Sequence, residues 1–252
     1  MSPLSKSVRW SCRIFTACVR YRSSLTTELI ENMDKKATWD RFYSETSSST
    51  TAFKNFEWFF SFDAVRHLIM PRLESRPQPD ASLHVLDIGC GTSDLGPCIY
   101  RRSSLPVRVT CADISPIAVQ LMKDHVLAKP VQPGNPSSEL EFTEMDCMQL
   151  KKHFTSSSID LIIDKGTTDA LLRAKEGKGK AELVLQQCLK VLKSSGVLLQ
   201  FSDEDPDARL LWLETAVREQ KVASAANVGV QEVGVLRGVS YYCYQVTADP
   251  VS

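Results

Sequence analysis

The chain has 252 residues, a length that suits one α/β domain with an additional segment. Its hydrophobic fraction of 43% and charged fraction of 24% are ordinary for a folded protein, and no apolar run approaches the roughly 20 residues of a membrane-spanning helix. Thirty basic and thirty acidic residues cancel, which gives no broad electrostatic basis for binding nucleic acid. We therefore expect neither a membrane nor a nucleic-acid partner.

The first residues are basic, rich in hydroxyl groups and amphipathic, without a long apolar run. Five cations precede the first acidic residue, Glu28: Lys6, Arg9, Arg13, Arg20 and Arg22. This composition resembles a mitochondrial transit peptide, which we predict over residues 1–24, with the matrix as the destination. A flexible basic tail or a nucleic-acid-binding arm is the alternative.

The chain contains eight cysteines, none of them in a C-x-x-C pair or at a zinc-ligand spacing with histidine. They are typical of small buried apolar residues, and a reducing compartment such as the matrix fits them. No metal site is predicted.

Residues 25–80 carry two aromatic clusters, at 39–43 and 53–62, separated by a Ser/Thr-rich stretch, Ser44–Thr51, that predicts a loop. Apolar residues from Phe56 to Ile69 recur at helical spacing, and prolines from Pro71 onward are expected to end that helix. We interpret 25–80 as an aromatic helical cap, in which Trp58 is able to cover the carboxyl ends of the strands. Simple core packing is the alternative for each aromatic residue.

From residue 81 to 252 the pattern alternates between strands and helices and ends in a hairpin around Arg237 and Gly238. Such alternation predicts an α/β fold, a mostly parallel seven-stranded sheet with helices on both faces and a C-terminal antiparallel hairpin. Ser194–Gly196 is expected to stop the helix predicted over 181–192. The predicted strands are 84–88, 107–112, 140–144, 158–163, 197–202, 228–236 and 239–246.

A glycine turn follows the first strand, and a carboxylate closes the second. Gly89 and Gly91 let the backbone pass close to a ligand, while Asp113 is placed to accept hydrogen bonds from a ribose diol. A dinucleotide fingerprint would have a third glycine where this chain has Asp94, and an anionic side chain there would repel a pyrophosphate. S-adenosylmethionine carries no phosphate and bears two cationic groups, so Asp87, Asp94 and Asp164 suit it. A plain strand-turn-helix corner is the alternative.

Acidic residues follow each parallel strand, at the edge where an open α/β sheet binds its ligands. Taken singly, each carboxylate could be a helix cap or part of a solvated turn. Together on one edge they indicate a site. These strand ends are Asp87/Gly89, Asp113, Met145–Cys147, Asp164–Thr167 and Ser202–Asp205.

The series of glycines and carboxylates resembles the seven-stranded S-adenosylmethionine-dependent methyltransferases. The signature D-K-G-T-x-D-A over 164–170, with W-D-R-F at 39–42 and F-E-W-F at 56–59, is similar to the methyltransferase-like protein-lysine methyltransferases, including those that act on elongation factor 1A. The resemblance covers residues 37–246. Within the group, 200–207 and the basic amino terminus are most similar to the branch acting on mitochondrial citrate synthase, which the resemblance implies as the partner.

The resemblance also implies roles for individual residues. Asp87 belongs to the predicted cofactor site, Gly89 and Gly91 would approach the methionine part of S-adenosylmethionine, and Asp113 would take the ribose hydroxyls. Asp146 and Cys147 would frame the adenine, and Trp58 would help to cover the cofactor. Asp164 would lie beside the transferable methyl group as an orienting carboxylate, with no obligatory general base. One departure is Ser93, where many methyltransferases have a third glycine.

Other functions remain open at this point. D-K-G-T replaces the [DN]-P-P-[YF] element used on planar amides and exocyclic amines, which disfavours base methylation. A small-molecule methyltransferase, a non-catalytic scaffold and an NAD-linked oxidoreductase are the other candidates, the last weakened by Asp94. Lys165 is either a solvated loop cation or a contact to acidic groups of a partner or of the cofactor site.

Overall fold

A computed structural model describes residues 30–48, 53–74, 82–219 and 226–248. Seven strands in these ranges form one sheet: β1 (Leu83–Ile88), β2 (Val107–Asp113), β3 (Glu139–Glu144), β4 (Ile159–Lys165), β5 (Leu192–Ser202), β6 (Ala226–Leu236) and β7 (Val239–Ala248). Their order is β3-β2-β1-β4-β5-β7-β6. The predicted transit peptide at 1–24 lies outside the described residues.

Strands β1 to β5 pair in parallel, whereas β7 pairs antiparallel with both β5 and β6. The predicted fold class is confirmed. The strand order reverses between β1 and β4, and ligands of open α/β sheets bind beyond the carboxyl ends of the strands at such a point.

Seven α-helices and one 3₁₀ segment are present in the described ranges: α1 (Lys36–Ser48), α2 (Phe62–Glu74), α3 (Leu95–Arg102), α4 (Pro116–Ala128), the 3₁₀ segment Cys147–Lys152, α5 (Thr167–Arg173), α6 (Lys178–Val191) and α7 (Pro206–Glu219). None of them has the length and apolarity to cross a bilayer.

Alternation along the strands divides the core into two layers. Val85 and Ile163 pack with buried residues of α2 and α3, whereas Leu86 and Ile162 pack with α6 and α7 on the opposite face. Successive side chains of a strand point to opposite faces, so these nearly continuous apolar strands are covered on both sides, as a parallel sheet requires.

The predicted loop at Ser44–Thr51 is wrong as far as Ser48, because α1 continues through it. Ser44 Oγ donates to Asp40 O at 2.8 Å and Thr46 Oγ1 donates to Phe42 O at 2.6 Å. Hydroxyl side chains that bond to the carbonyl one turn earlier satisfy their own donors within a helix, so a Ser/Thr-rich composition does not by itself end one.

The segment 53–74 also differs from expectation. Helix α2 begins at Phe62, so Phe56 precedes it in an irregular stretch, and the helix runs through Pro71 to Glu74. In the last turn, the missing N–H of a proline costs one bond and the helix continues for three more residues. The structure therefore divides the predicted cap: α2 packs in the core beside the sheet, while α1, Phe56 and Trp58 contribute to an aromatic cluster.

The expected helix stop at Ser194–Gly196 is instead part of β5. Helix α6 ends at Val191, Leu192 pairs with Ile159, and the next pair joins Val197 to Leu161, so residues 193–196 form an irregularity in the strand. A Cβ on Gly196 would lie 2.8 Å from Leu192 Cδ1, and this close approach explains the glycine.

Candidate active site

A pocket that holds about 870 Å³ of empty space, part of it open to solvent, lies beyond the carboxyl ends of the parallel strands. Five of the eight predicted site residues line it: Trp58, Gly89, Asp113, Asp146 and Cys147. The structure thus brings together residues from three separate strand ends and the aromatic segment. Three predicted site residues, Asp87, Gly91 and Asp164, are not part of its wall.

The two glycines of the turn are required by close contacts. Gly89 has φ of 59°, and a Cβ there would lie 1.9 Å from Thr167 Oγ1; Gly91 has φ of 54°, and a Cβ there would lie 2.4 Å from the Tyr43 hydroxyl. Side chains rarely adopt this left-handed conformation. The turn is therefore pressed against the loop after β4 on one side and against α1 on the other.

Asp113 is held by the backbone at the edge of the pocket. The N–H of Gly91 donates to its Oδ2 and the N–H of Ser115 donates to its Oδ1, both at 2.8 Å. Burial raises the pKa of Asp113 to about 6, against the effect of these two donors. Each carboxylate oxygen can accept a second hydrogen bond, so the ionised group is oriented and still able to bind two ligand hydroxyls.

Asp146 and Cys147 begin the 3₁₀ segment after β3. Asp146 accepts from the Met148 N–H and from Gln149 Nε2, each at 2.9 Å, which fixes its carboxylate. Cys147 is buried, and burial raises the pKa of its thiol well above the usual value. It therefore contributes an uncharged surface beside Asp146, as a planar base requires.

An aromatic cluster covers the pocket from the side of α1. The Trp58 ring lies 5.1 Å from Phe56 and 6.1 Å from Trp39, and Trp39 Nε1 donates to Met33 O at 2.8 Å. The cluster consists of Trp39, Phe42, Tyr43, Phe56 and Trp58.

The segment that carries Phe56 and Trp58 ends in a γ-turn at Phe59. This residue has φ of 66°, and the Phe60 N–H donates to Trp58 O at 2.8 Å. Such a turn is strained for a residue with a side chain and persists where neighbours hold it. Gly166 is one such neighbour, since a Cβ on it would contact the Phe59 ring at 3.4 Å.

Glu57 joins the segment of Phe56 and Trp58 to the glycine turn. Its carboxylate accepts from the Asp94 N–H and from Ser93 Oγ, both at 2.7 Å, and forms an ion pair with Lys165. The amide of Asp94 lies at the amino end of α3, where a cofactor phosphate binds in dinucleotide folds. Glu57 thus supplies the anion at that position.

The Asp94 side chain is not the group that would repel a phosphate, contrary to the prediction from the sequence. The Asp94 side chain points along α3, where it accepts from Cys98 Sγ at 3.1 Å and lies 3.9 Å from Arg101 Nη2. It does not face the pocket. A phosphate is disfavoured here because of Glu57.

Lys165 is not a solvated loop cation. Its side chain is 6% exposed, and besides the ion pair with Glu57 it donates to Ser93 Oγ at 3.2 Å and to Phe60 O at 3.3 Å. A buried charge is stable when paired and hydrogen-bonded in this way.

Asp87 points away from the pocket. It shares a face of β1 with Val85, two positions earlier, which places it on the side covered by α3, and its buried Oδ2 has no hydrogen-bond partner. Burial raises the pKa of Asp87 to about 7, while nearby Lys165 works in the opposite direction.

Asp164 caps α5. Its Oδ1 accepts from the Thr167 N–H at 2.9 Å, and its Oδ2 accepts from Gln200 Nε2 at 3.1 Å and from Thr168 Oγ1. Its residue is 1% exposed, and burial raises the pKa of the carboxyl group to about 6. The structure places this group behind the wall formed by Gly166 and Thr167.

A second carboxylate of the same signature, Asp169, does line the pocket. Its Oδ1 accepts from Ser202 Oγ at 2.5 Å and from Arg209 Nη2 at 2.9 Å, and Arg173 Nη1 lies 3.2 Å away. Arg173 Nη2 also donates to Asp203 at 2.6 Å. These residues join the end of β5 to α5 and α7.

Sequence reasoning left three residues of this region without a structural role and gave Lys165 two alternatives. Lys165 and Asp169 lie inside the D-K-G-T-x-D-A signature and Glu57 inside F-E-W-F. A contact to acidic groups was one alternative for Lys165, but Glu57 was not identified as its partner. Tyr43 follows W-D-R-F, and its contact with Gly91 joins residues distant in the chain, which no local pattern encodes.

Comparison with known proteins identifies the family. The model of a methyltransferase domain matches residues 79–232. The chain belongs to this methyltransferase family. The predicted S-adenosylmethionine-dependent methyltransferase class is confirmed.

Three similar proteins illustrate the relationship. The mitochondrial citrate synthase-lysine N-methyltransferase of Danio rerio is 58% identical over 90% of this chain and 89% of its own length. The protein of the same name from Homo sapiens is 36% identical over 98% of both chains. The crystal structure of magnesium protoporphyrin IX methyltransferase from Synechocystis PCC 6803 has a TM-score of 0.51 at 13% identity, covering 74% of this chain and 82% of that one. The last comparison bears on the fold alone.

Proposed function

We propose that the protein is a protein-lysine N-methyltransferase that uses S-adenosylmethionine to methylate citrate synthase in mitochondria. The observation that carries the proposal is the pocket wall, in which the backbone-held carboxylate of Asp113 faces a roof of aromatic side chains. The choice of substrate and compartment rests on the similarity to enzymes of that name, which extends over 90% and 98% of the chain.

The residues present fit the cofactor. Gly89 brings backbone into the pocket wall, Asp113 offers free acceptor positions for the ribose hydroxyls, and Asp146 with Cys147 provides a surface for the adenine. Trp58 lines the same pocket and would cover this group. Gly91 shapes the glycine turn, whereas Asp87 lies on the face of β1 covered by α3, and neither lines the pocket.

When bound, S-adenosylmethionine supplies a methyl group on a positively charged sulfur, which a neutral amine accepts by in-line displacement. A free lysine has a pKa of about 10.4 and is mostly protonated at neutral pH. Removal from water in this partly enclosed pocket disfavours the ammonium form and so lowers the lysine pKa. The chain therefore contributes positioning and the exclusion of water, without an obligatory general base.

Asp164 orients the site through its own loop. By accepting from the N–H of Thr167 and Thr168 it fixes the turn at Gly166, whose backbone forms the pocket wall. Asp164 was expected beside the methyl group. The loop at Gly166 and Thr167, which this carboxylate holds, would occupy that place instead.

The decisive experiment offers purified citrate synthase and elongation factor 1A in parallel to the protein with labelled S-adenosylmethionine. We expect methyl groups on a lysine of citrate synthase, identified by mass spectrometry, and none on elongation factor 1A. Binding of S-adenosylmethionine without methylation of citrate synthase would reject the substrate while leaving the methyltransferase class intact. Label recovered only in small molecules of a mitochondrial extract would favour a metabolite methyltransferase.

A further inference from the structure

The two ends of the pocket carry different carboxylates. Asp113 and Asp146 follow β2 and β3, on one side of the sheet, and they are the groups suited to a nucleoside. Asp169 lies on the other side of β1, beyond β4 and next to Ser202 at the end of β5. Because one end is shaped for the adenosine, the acceptor has to approach from the β4–β5 end.

The contacts of Asp169 are strongly asymmetric. Ser202 Oγ, Arg209 Nη2 and Arg173 Nη1 all lie within 3.2 Å of Oδ1, and Oδ2 takes none of these donors. Among the described residues, the fully buried side-chain oxygens that lack a partner belong to Asp87 and Gln200, so Oδ2 of Asp169 is not sealed in the core. The carboxylate is fixed through one oxygen and is one of the groups in the pocket wall.

We propose that Oδ2 of Asp169 accepts a hydrogen bond from the ε-amino group of the acceptor lysine. This assignment rests on the proposed function and names its second subsite. An N–H bond directed at Oδ2 leaves the nitrogen lone pair free. That lone pair forms the new N–C bond as the S–C bond of the donor breaks, its electron pair stays on sulfur, and the surplus proton of the methylated amine leaves to water.

The two arginines beside Asp169 reduce its preference for an ammonium group. Asp169 and Asp203 carry two negative charges, and Arg173 and Arg209 carry two positive ones, so the charges of the cluster balance before the substrate arrives. A carboxylate alone would favour the ammonium form of the lysine, and the two guanidinium groups offset that attraction. The lysine nitrogen can therefore bind Oδ2 as a neutral amine.

The test compares Asp169→Asn with Asp203→Asn. Both carboxylates pair with Arg173 and both are 3% exposed, but Asp169 lines the pocket and Asp203 does not. We expect Asp169→Asn to lower kcat/KM for citrate synthase roughly 100-fold, the value of a lost hydrogen bond to a charged group, while the Kd of S-adenosylmethionine changes by less than about threefold. Asp203→Asn should change kcat/KM by less than about fivefold.

The outcomes separate the two proposals. A wild-type protein that binds S-adenosylmethionine but does not methylate citrate synthase refutes the proposed substrate. An active wild type together with a fully active Asp169→Asn refutes the lysine subsite alone, as does loss of cofactor binding in that variant or an equal effect of Asp203→Asn. If Asp169→Asn does not fold, Asp169→Glu retains the charge and displaces the carboxylate by one methylene; unchanged kcat/KM in it would equally overturn the assignment.

Discussion

The two ends of the pocket are built in different ways. At the end beyond β1, β2 and β3, backbone amides hold the ligand-facing groups, as Gly91 and Ser115 show in holding Asp113. At the end beyond β4 and β5, side chains far apart in the chain hold one another, as Glu57 does with Lys165 and Ser202 with Asp169. The first end follows a glycine motif that is visible in the sequence, whereas the second depends on side-chain contacts that form only on folding.

This difference explains why an acidic residue at a strand end is a weak guide to a ligand. Asp113 faces the pocket because two backbone amides hold it there, whereas Asp164 is turned to a helix end and Asp94 to its own helix. In each case the competing partner is the nearest unpaired donor, since buried polar groups seldom remain without one.

The largest effect is expected at the end of the pocket beyond β1, β2 and β3. Asp113→Ala removes the acceptor for the ribose and leaves two backbone amides unpaired, so the affinity for S-adenosylmethionine should fall roughly a thousandfold, as two charge-assisted hydrogen bonds imply. Calorimetric titration measures this. Wild-type affinity should also decrease below about pH 6, because the pKa of Asp113 is raised to about 6 by burial and protonation removes acceptor positions.

A matched control is Asp94→Ala, an acidic residue three positions after Gly91 that does not face the pocket. Its affinity should equal that of the wild type. Equal losses in Asp94→Ala and Asp113→Ala would show that overall negative charge, and not the held carboxylate, binds the cofactor.

The sequence was sufficient to predict the sheet and the end of the pocket beyond β1, β2 and β3. Periodicity located the strands because apolar residues in β1 and β4 are buried on both faces, and the glycine turn located Gly89 and Asp113. It failed at α1, which continues through Ser44–Ser48 because its hydroxyls bond to carbonyls one turn earlier in the helix. It also failed where distant contacts decide. The ion pair of Glu57 and Lys165 joins residues 108 positions apart, and no spacing rule contains it.

Gly89→Ala tests where the two ends meet. A Cβ would lie 1.9 Å from Thr167 Oγ1 in a left-handed conformation, so the free energy of unfolding should fall by about 3 kcal/mol from strain and overpacking. Chemical denaturation measures it. In a Thr167→Ala background the same change should cost at least about 1 kcal/mol less, because part of the clash is gone. Equal costs in both backgrounds would mean that Gly89 is needed for its backbone angle alone.

Asp87→Asn tests the carboxylate between the two ends. The folded protein raises its pKa from 3.8 to about 7, mainly through burial, so the folded state favours the protonated form. The contribution of Asp87 to stability is therefore complete below about pH 4 and is lost as pH rises through about 7. Between about pH 5 and pH 7 the variant should gain about 2 kcal/mol relative to the wild type, since one pKa unit corresponds to about 1.4 kcal/mol.

Denaturation of both proteins across this pH range measures the difference. Lys165→Met should make the difference in stability depend more steeply on pH, because Lys165 opposes the rise in the pKa of Asp87. A difference between Asp87→Asn and the wild type that does not vary with pH would mean that Asp87 is ionised throughout and that Lys165 compensates it fully.

The smallest effects concern the segment that closes the pocket beside α1. Lys180 Nζ lies 2.6 Å from Asp34 Oδ2, whose side chain is 2% exposed, whereas the Lys36–Glu144 pair is 41% and 53% exposed. Lys180→Ala should therefore reduce stability by about 1 kcal/mol and weaken cofactor binding a few-fold, while Lys36→Ala should cost less than about 0.5 kcal/mol. Thermal unfolding with and without S-adenosylmethionine measures both. Since solvent screens the exposed pair, added salt should remove the effect of Lys36→Ala and leave most of that of Lys180→Ala; equal sensitivity to salt would contradict a buried anchor at Asp34.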